Sequence, residues 1–94
     1  MSTNPLVFRT HAIRRMFQRQ INVDDVRHVL ETGVIIENYP DDQPYPNWLV
    51  MGWCGERPLH VVAADNAEAH ETIVITVYEP DSDQWESGFT RRKR

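Results

Sequence analysis

Residues 8–20 read Phe-Arg-Thr-His-Ala-Ile-Arg-Arg-Met-Phe-Gln-Arg-Gln, and this stretch decides the fold of the chain. At about 3.6 residues per turn, its side chains form two faces of one helix, with Thr10 as the expected N-cap and an end near Gln20. One face is apolar and is expected to pack on a core: Ala12, Ile13, Met16 and Phe17. The other face is polar and contains no acid: His11, Arg14, Arg15, Gln18 and Arg19.

The polar face of this helix carries three guanidinium groups and one imidazole. Like charges one turn apart repel by about a few tenths of a kcal/mol, so such a helix needs compensation. Three interpretations are open: the face is solvated, acidic side chains elsewhere cover it, or it binds an anion. Arginine binds phosphate through two parallel hydrogen bonds, and histidine transfers protons near neutral pH. The third interpretation therefore predicts a phosphate site.

The composition favours one small cytoplasmic domain. The chain has 94 residues, of which 40% are hydrophobic, and this is enough for one core. Its single cysteine, Cys54, excludes an internal disulfide and a cysteine-rich zinc site and is typical of a reducing compartment. Neither an apolar run that spans a bilayer nor a secretory leader is found, so we expect no membrane association. The four histidines lack the spacing of a metal motif, and we expect no metal or other cofactor.

Charge is unevenly distributed along the chain. Residues 1–21 contain four arginines and no acid, whereas residues 22–90 contain all 14 acidic side chains and two arginines. The last four residues are all basic: Arg91, Arg92, Lys93 and Arg94. The net charge of −4 argues against a nucleic-acid binder recognised by bulk charge. A local basic site on an acidic body is still compatible with it, and the basic tail is either a phosphate-binding arm or a solvated terminus.

A second helix is predicted directly after the first. Asn22 is its expected N-cap, Asp25 completes a capping box, and Gly33 is a suitable C′ residue. Beyond Gly33 the hydrophobic period changes to two, which predicts strands. The predicted strands cover residues 34–39, 48–54, 57–64 and 72–78, with a proline-rich loop at 40–47.

This order of elements predicts an α+β fold with two N-terminal helices on one face of a four-stranded antiparallel meander sheet. We assign residues 8–80 to a single domain and residues 81–94 to a C-terminal extension with a basic tail. Trp85 and Phe89 are expected to lie against the domain before the basic end frays. Residues 1–7 are expected to be irregular. The side chains expected to be largely buried are Met16, Val26, Leu30, Ile73, Ile75 and Val77.

Strand alternation sorts the side chains of the last two strands. The Ile/Val face of the last strand, with Ile75 at its centre, is expected beneath the helices. His60, Thr76 and Tyr78 are then expected to meet on the opposite, more open face. Such a cluster is suited to proton transfer beside a phosphate, although a histidine and a tyrosine also pack commonly on half-exposed sheets.

Four segments together resemble a known bacterial family. They are His-Ala-x-x-Arg-Met-x-x-Arg-x-Ile at 11–21, the Val-Asp-Asp-Val helix that closes at Gly33, Gly-x-Arg-Pro-Leu-His at 55–60, and Ile-Thr-Val-Tyr-Glu-Pro at 75–80. In this order they resemble the domain-of-unknown-function family 4258, over about residues 8–80. That family looks like a member of the RelE-like toxin group, which also takes in barnase-like and colicin-like RNases.

The resemblance implies a RelE-like fold, cleavage of RNA without a metal, and a small zinc-finger antitoxin as partner. Matched by position, the residues that the resemblance implies for the site are His11, Arg15, Arg19, His60, Thr76 and Tyr78. Gln20 stands where the family usually has glycine, which bears on the turn after the helix rather than on the chemistry.

The leading hypothesis is therefore a metal-independent endoribonuclease, the toxin of a bacterial toxin–antitoxin system. His11 or His60 takes a proton from a ribose 2′-hydroxyl, and the other histidine or Tyr78 protonates the leaving oxygen. Arg15 and Arg19 hold the phosphate. Further RNA contacts are expected from Arg14, Arg91, Arg92, Lys93 and Arg94. The alternatives are a non-catalytic RNA- or protein-binding module and a structural role in a complex.

Overall fold

A computed structural model describes residues 4–93, which form two helices and one five-stranded sheet. The helices are α1 (Thr10–Arg19) and α2 (Val23–Thr32). The strands are β1 (Leu6–Phe8), β2 (Val34–Tyr39), β3 (Asn47–Cys54), β4 (Arg57–Asn66) and β5 (Glu71–Tyr78). Their order across the sheet is β1-β5-β4-β3-β2. The α+β class is therefore confirmed.

The edge strand β1 is a correction to the predicted topology. β2 to β5 pair antiparallel as expected, but Leu6–Phe8 pairs parallel with Thr72–Val74 of β5. The sheet is thus mixed and five-stranded rather than purely antiparallel and four-stranded. A strand of three residues has too little alternation to be detected, and its partner lies at the far end of the chain.

Both helices pack on one face of the sheet. α1 contacts β5, and α2 contacts β3 and, less extensively, β4. Cross-strand neighbours such as Val50, Val61 and Val77 share this face and belong to one core with the helices. Its buried members are Ala12, Met16, Ile21, Val26, Val29, Val50, Leu59, Val61, Ala63, Val74 and Val77. No helix within residues 4–93 has the length and apolarity needed to cross a membrane.

Helix α1 buries a narrower face than its sequence predicts. Ala12 and Met16 reach the core, but 55% of Ile13 and 87% of Phe17 are exposed. The helix begins after Arg9, which makes no side-chain capping bond, so Thr10 is not the N-cap. At the other end Gln20 takes a left-handed conformation, with φ 55°. Because the N–H of Ile21 then bonds the Met16 carbonyl at 2.8 Å, the helix closes as a Schellman motif.

Helix α2 begins as predicted and ends for a different reason. The side chain of Asn22 accepts from the Asp25 N–H, and the Asp25 carboxylate accepts from the Asn22 N–H, so the capping box is confirmed. Gly33 is extended (φ −78°) and not left-handed as a C′ glycine usually is. A Cβ atom on Gly33 would lie 2.5 Å from the Met51 carbonyl oxygen. Close backbone approach therefore requires glycine here.

A bulge in β5 corrects the predicted facing of the last strand. Thr76 pairs with Val62 and Val74 pairs with Ala63, which leaves Ile75 without a partner across the strand. The extra residue puts Val74 and Val77 together beneath the helices. Ile73 is buried on the opposite face, and Ile75 is only half-buried, so the expected Ile/Val face does not exist. Of the other predicted core residues, Met16 and Val26 are buried and Leu30 is half-buried.

The C-terminal segment, residues 80–93, crosses the face of the sheet opposite the helices. Trp85 is buried against it and Phe89 is half-buried. The basic end does not fray within the described residues. The N–H of Lys93 donates to the Gln84 carbonyl, and the backbones of Arg92 and Trp85 form an isolated antiparallel β-bridge. Arg94 lies outside the described residues.

Candidate functional site

The sheet face opposite the helices contains a cleft of about 690 Å³. Val62, Ile73 and Ile75 of β4 and β5 form its apolar floor. Arg9 and His11, at the start of α1, line it beside the edge of β5. The polar side chains from β2, β3 and their loop that also line it are Tyr39, Asp42, Gln43, Tyr45 and Asn47. Asn47 donates to the Asp42 carboxylate at 3.1 Å. The cleft therefore combines an apolar floor with one guanidinium, one imidazole, two phenols and one carboxylate.

Helix α1 is fixed at both ends beside β5. The Arg9 N–H bonds the Val74 carbonyl at 3.0 Å, where the helix starts. The Arg57 guanidinium donates to the carbonyls of Arg19 and Gln20, where it ends, and also pairs with Glu79 at 2.7 Å. α1 thus runs alongside β5 from the cleft towards Glu79.

The basic stripe of α1 is defined as His11, Arg15 and Arg19, which recur one turn apart. All three are exposed, and so is Arg14 beside them. Within residues 4–93 the ion pairs are Arg57–Glu79 and Arg92–Glu37, and neither involves an arginine of α1. The acids of the described chain therefore do not neutralise the stripe, which begins at the cleft and continues along β5.

His60 and Tyr78 form the second group on this face. They are directly opposite in the register of β4 and β5, and His60 is fully buried. The Nε2 atom of His60 lies 2.8 Å from the Phe89 carbonyl oxygen, and Nδ1 lies 3.2 Å from the Tyr78 hydroxyl. A carbonyl only accepts, so Nε2 carries the proton and Tyr78 donates to Nδ1 of a neutral ring. This tautomer is assigned from the bonding partners.

Burial sets the titration of this pair. It lowers the pKa of His60 below its ordinary value, against smaller opposing effects of the Phe89 carbonyl and Glu37. Burial also raises the pKa of Tyr78. Both side chains are thus held neutral, so His60 is an unprotonated imidazole and Tyr78 an un-ionised phenol.

The C-terminal segment covers His60, the fully buried member of this pair. The Trp85 ring meets the His60 imidazole edge-on, with ring centroids 4.4 Å apart. The Arg92 guanidinium lies over Trp85, 4.6 Å from the ring centroid, and donates to Glu37 at 3.1 Å. Tyr39 donates to the other oxygen of Glu37. Burial alone raises the pKa of Glu37, but the bonds from Tyr39 and Arg92 lower it overall.

The structure divides the predicted site residues between these places. His11 lines the cleft, while Arg14, Arg15 and Arg19 extend from it along α1. Thr76 lies opposite Val62 of the cleft floor. His60 and Tyr78 contact each other under the C-terminal segment, and no hydrogen bond within the described residues joins His60 to His11. Of the predicted basic tail, Arg91 and Lys93 are exposed and Arg92 is bound to Glu37 and Trp85.

Sequence reasoning missed several residues of this face. Arg9 lies just before the helix and outside the predicted stripe. Its position two residues before His11 is the sequence signal that points to it. Tyr39 directly precedes the proline-rich loop and Tyr45 lies within it, and only the folded loop brings both to the cleft.

In residues 4–93 no group of three or more His, Cys, Asp or Glu side chains is placed to hold a metal ion.

Two helices on one face of a mixed sheet, with a cleft and a histidine–tyrosine pair on the other, define a small α+β domain whose candidate site lies on the face opposite the helices. The family described as Domain of unknown function (DUF4258) matches residues 8–79, and the chain belongs to this family. The match contains His11, His60 and Tyr78 and ends before the C-terminal segment. No curated protein and no solved structure matches the chain.

Proposed function

We propose that this protein binds RNA along the basic stripe and cleaves it in the adjacent cleft without a metal, as a RelE-like toxin of a bacterial toxin–antitoxin pair acting in the cytoplasm. One observation carries the proposal. Exposed cations of α1 that have no acidic partner in the described chain lead directly into a cleft that contains an imidazole. A linear series of cations suits a phosphate backbone better than a single small anion.

The chemistry follows from which groups reach the cleft. His11 takes the proton of a ribose 2′-hydroxyl, and that oxygen attacks the adjacent phosphorus. The bond from phosphorus to the leaving 5′ oxygen breaks, which yields a cyclic phosphate and a free hydroxyl after protonation. Arg9, which lines the cleft, and Arg15, one helical turn beyond His11, stabilise the developing charge, because a guanidinium holds two phosphate oxygens at once. We assign the final proton to the phenol of Tyr45, which also lines the cleft.

Cleavage of labelled RNA in the presence of a chelator tests this assignment. His11→Gln is expected to reduce the rate by about 10²–10⁴, the usual size of a lost proton-transfer group. Arg15→Lys is also expected to be damaging, because lysine keeps the charge but loses the bidentate geometry. His28→Gln and Arg27→Lys, exposed on α2, are the matched controls and should cleave as the wild type does. The proposal fails if the wild type cleaves no RNA with or without metal and ribosomes.

The burial of His60 favours a second candidate, a non-catalytic RNA-binding module. With His60 covered, the cleft contains His11 as its one lining imidazole among the described residues. Binding to a 2′-deoxy substrate, which cannot be cut, separates the two functions. Replacing Arg15 or Arg19 by Ala should lower the salt slope of binding by about one unit each. That result without any cleavage of normal RNA would favour the binding module.

The proposed partner is a small zinc-finger-type antitoxin. Expression of the wild type alone should arrest growth, and co-expression of a neighbouring gene product with paired Cys-x-x-Cys motifs should relieve the arrest. His11→Gln should abolish the arrest while the protein still accumulates. Growth that is unaffected by a folded, RNA-cleaving wild type would remove the toxin part of the proposal.

A further inference from the structure

The C-terminal segment is attached to the functional face rather than built into the family domain. The family match ends at residue 79, and the segment begins at residue 80. Nevertheless it covers His60, which lies inside the match and contacts Tyr78. A part of the chain outside the matched domain therefore closes off a buried polar side chain of that domain.

Few contacts hold this segment in place. Trp85 is the one aromatic side chain of the segment that is almost fully buried, at 3% exposed. Phe89 packs edge-on against Trp53, with the two ring centroids 6.0 Å apart. Arg92 clamps Trp85 from outside through its bond to Glu37, and its side chain is more than half exposed. Most of the other residues of the segment are exposed. Contacts of this kind give a segment that opens locally at lower free energy than the core.

Two groups of the segment fill the space against His60 that an RNA ligand would have to enter. The Trp85 ring packs edge-on against the His60 imidazole, and the Phe89 carbonyl accepts the Nε2 proton as a phosphate or base oxygen would. The ion pair with Arg92 also neutralises the Glu37 carboxylate beneath the segment. Tyr39 donates to the same carboxylate and lines the cleft, so it connects the segment to the cleft.

We propose that the C-terminal segment is an autoinhibitory strap, which lies on the His60–Tyr78 pair as a substitute for a single-stranded RNA base and is displaced when RNA binds. This rests on the proposed RNA function for the identity of the ligand. When the strap opens, Nε2 of His60 loses its carbonyl partner and becomes available beside the cleft. The family domain then presents two imidazoles, His11 and His60, where the closed form presents one.

Amide hydrogen exchange on the full chain tests the strap without any reference to activity. The N–H groups of Trp85, Phe89 and Lys93 are bonded within the segment, and they should exchange at least about tenfold faster than those of Val61 and Val77 in the core. Arg92→Ala removes the clamp and should raise strap exchange by roughly threefold to tenfold, as expected for a partly exposed cation–π and ion-pair contact. Arg91→Ala, the neighbouring arginine, should leave strap exchange unchanged. Exchange of strap and core at one common rate would overturn the proposal.

A second arm measures the consequence for RNA. Arg92→Ala should bind single-stranded 2′-deoxy RNA analogues about threefold more tightly and should cleave RNA faster than the wild type, because less energy is used to open the strap. Arg27→Ala, which removes an exposed arginine of α2, should do neither. If no variant cleaves RNA but exchange and analogue binding rise together, the enzyme function fails and the strap stands. If the strap opens in Arg92→Ala while analogue binding does not rise, the autoinhibition is overturned.

Discussion

The imidazole of His60 donates its Nε2 proton to the carbonyl oxygen of Phe89 across 2.8 Å. One partner belongs to the matched domain and the other to the segment that follows it. Because His60 is fully buried between Tyr78 and Trp85, the same side chain takes part in packing and in the candidate site. The two histidines predicted for the site, His11 and His60, are therefore not equivalent, and mutation should separate them.

His60→Gln is expected to destabilise the protein, whereas His11→Gln is not. The first change leaves a buried carbonyl and a buried hydroxyl with a poorer partner, which costs about 1–3 kcal/mol. His11 is exposed, and its replacement should change the free energy of unfolding by no more than about 0.5 kcal/mol. Urea unfolding followed by tryptophan fluorescence measures both. Equal losses in the two variants would contradict the burial of His60.

Stability should decline as the pH falls through 6.5. Burial holds the pKa of His60 in the folded chain below 6.5. Between pH 6.5 and that lower pKa, His60 therefore binds a proton in the unfolded chain but not in the folded chain. The contribution is complete above pH 6.5 and is lost on acidification. Glu37, with a pKa below 4.5, adds a loss only at lower pH, so measurements made above pH 4.5 report mainly on His60. Urea midpoints of the wild type and His28→Gln should fall alike, and His60→Gln should show a shallower decline.

Core truncation should follow the observed facing of the strands rather than the alternation of the sequence. Leu59 is fully buried beneath the helices, and Leu59→Ala should cost about 2–5 kcal/mol. Ile75 is half-buried at the bulge, so Ile75→Ala should cost clearly less. Phe17→Ala, at an 87% exposed side chain, should stay within about 0.5 kcal/mol. Thermal unfolding ranks the three variants, and a larger loss for Ile75→Ala than for Leu59→Ala would contradict the bulge.

Replacing Gln20 by glycine should stabilise the protein. Gln20 closes α1 at φ 55°, where a side chain is strained and glycine is not. Gln20→Gly is expected to gain about 0.5–1 kcal/mol at this C′ position. Gln18→Gly is the matched control, because the same change inside the exposed helix should cost about 1 kcal/mol. A loss of stability in both variants would show that the left-handed turn is not a strained position.

The sequence predicted most of the elements because their signals are local. The period of 3.6 gave both helices, Asn22 and Asp25 gave the capping box, and alternation after Gly33 gave β2 to β5. What failed depends on distant partners. Leu6–Phe8 becomes a strand only because β5 lies beside it, and Phe17 is exposed because α1 rests on the sheet through Ala12 and Met16 alone.

The candidate site was predicted in its parts but not in its arrangement. Alternation correctly brought His60 and Tyr78 together, since directly opposed residues share a face of the sheet. The bulge at Ile75 shifts alternation by one residue, and no local composition marks such an insertion. Nor does any period show that Trp85 covers His60, because that contact joins residues from an irregular segment to a strand.

The parallel pairing of Leu6 with Thr72 also determines when the chain folds during its synthesis. β1 and the helix that follows it are made first, but the strand on which both depend is made last among the strands. Contacts that close such a long loop form late, since the entropy of closure must be overcome before the contacts are gained. While β2, β3 and β4 are synthesised, α1 therefore lacks β5, the strand on which it mainly packs. It becomes a folded domain, with its cleft formed, only when β5 is free of the ribosome.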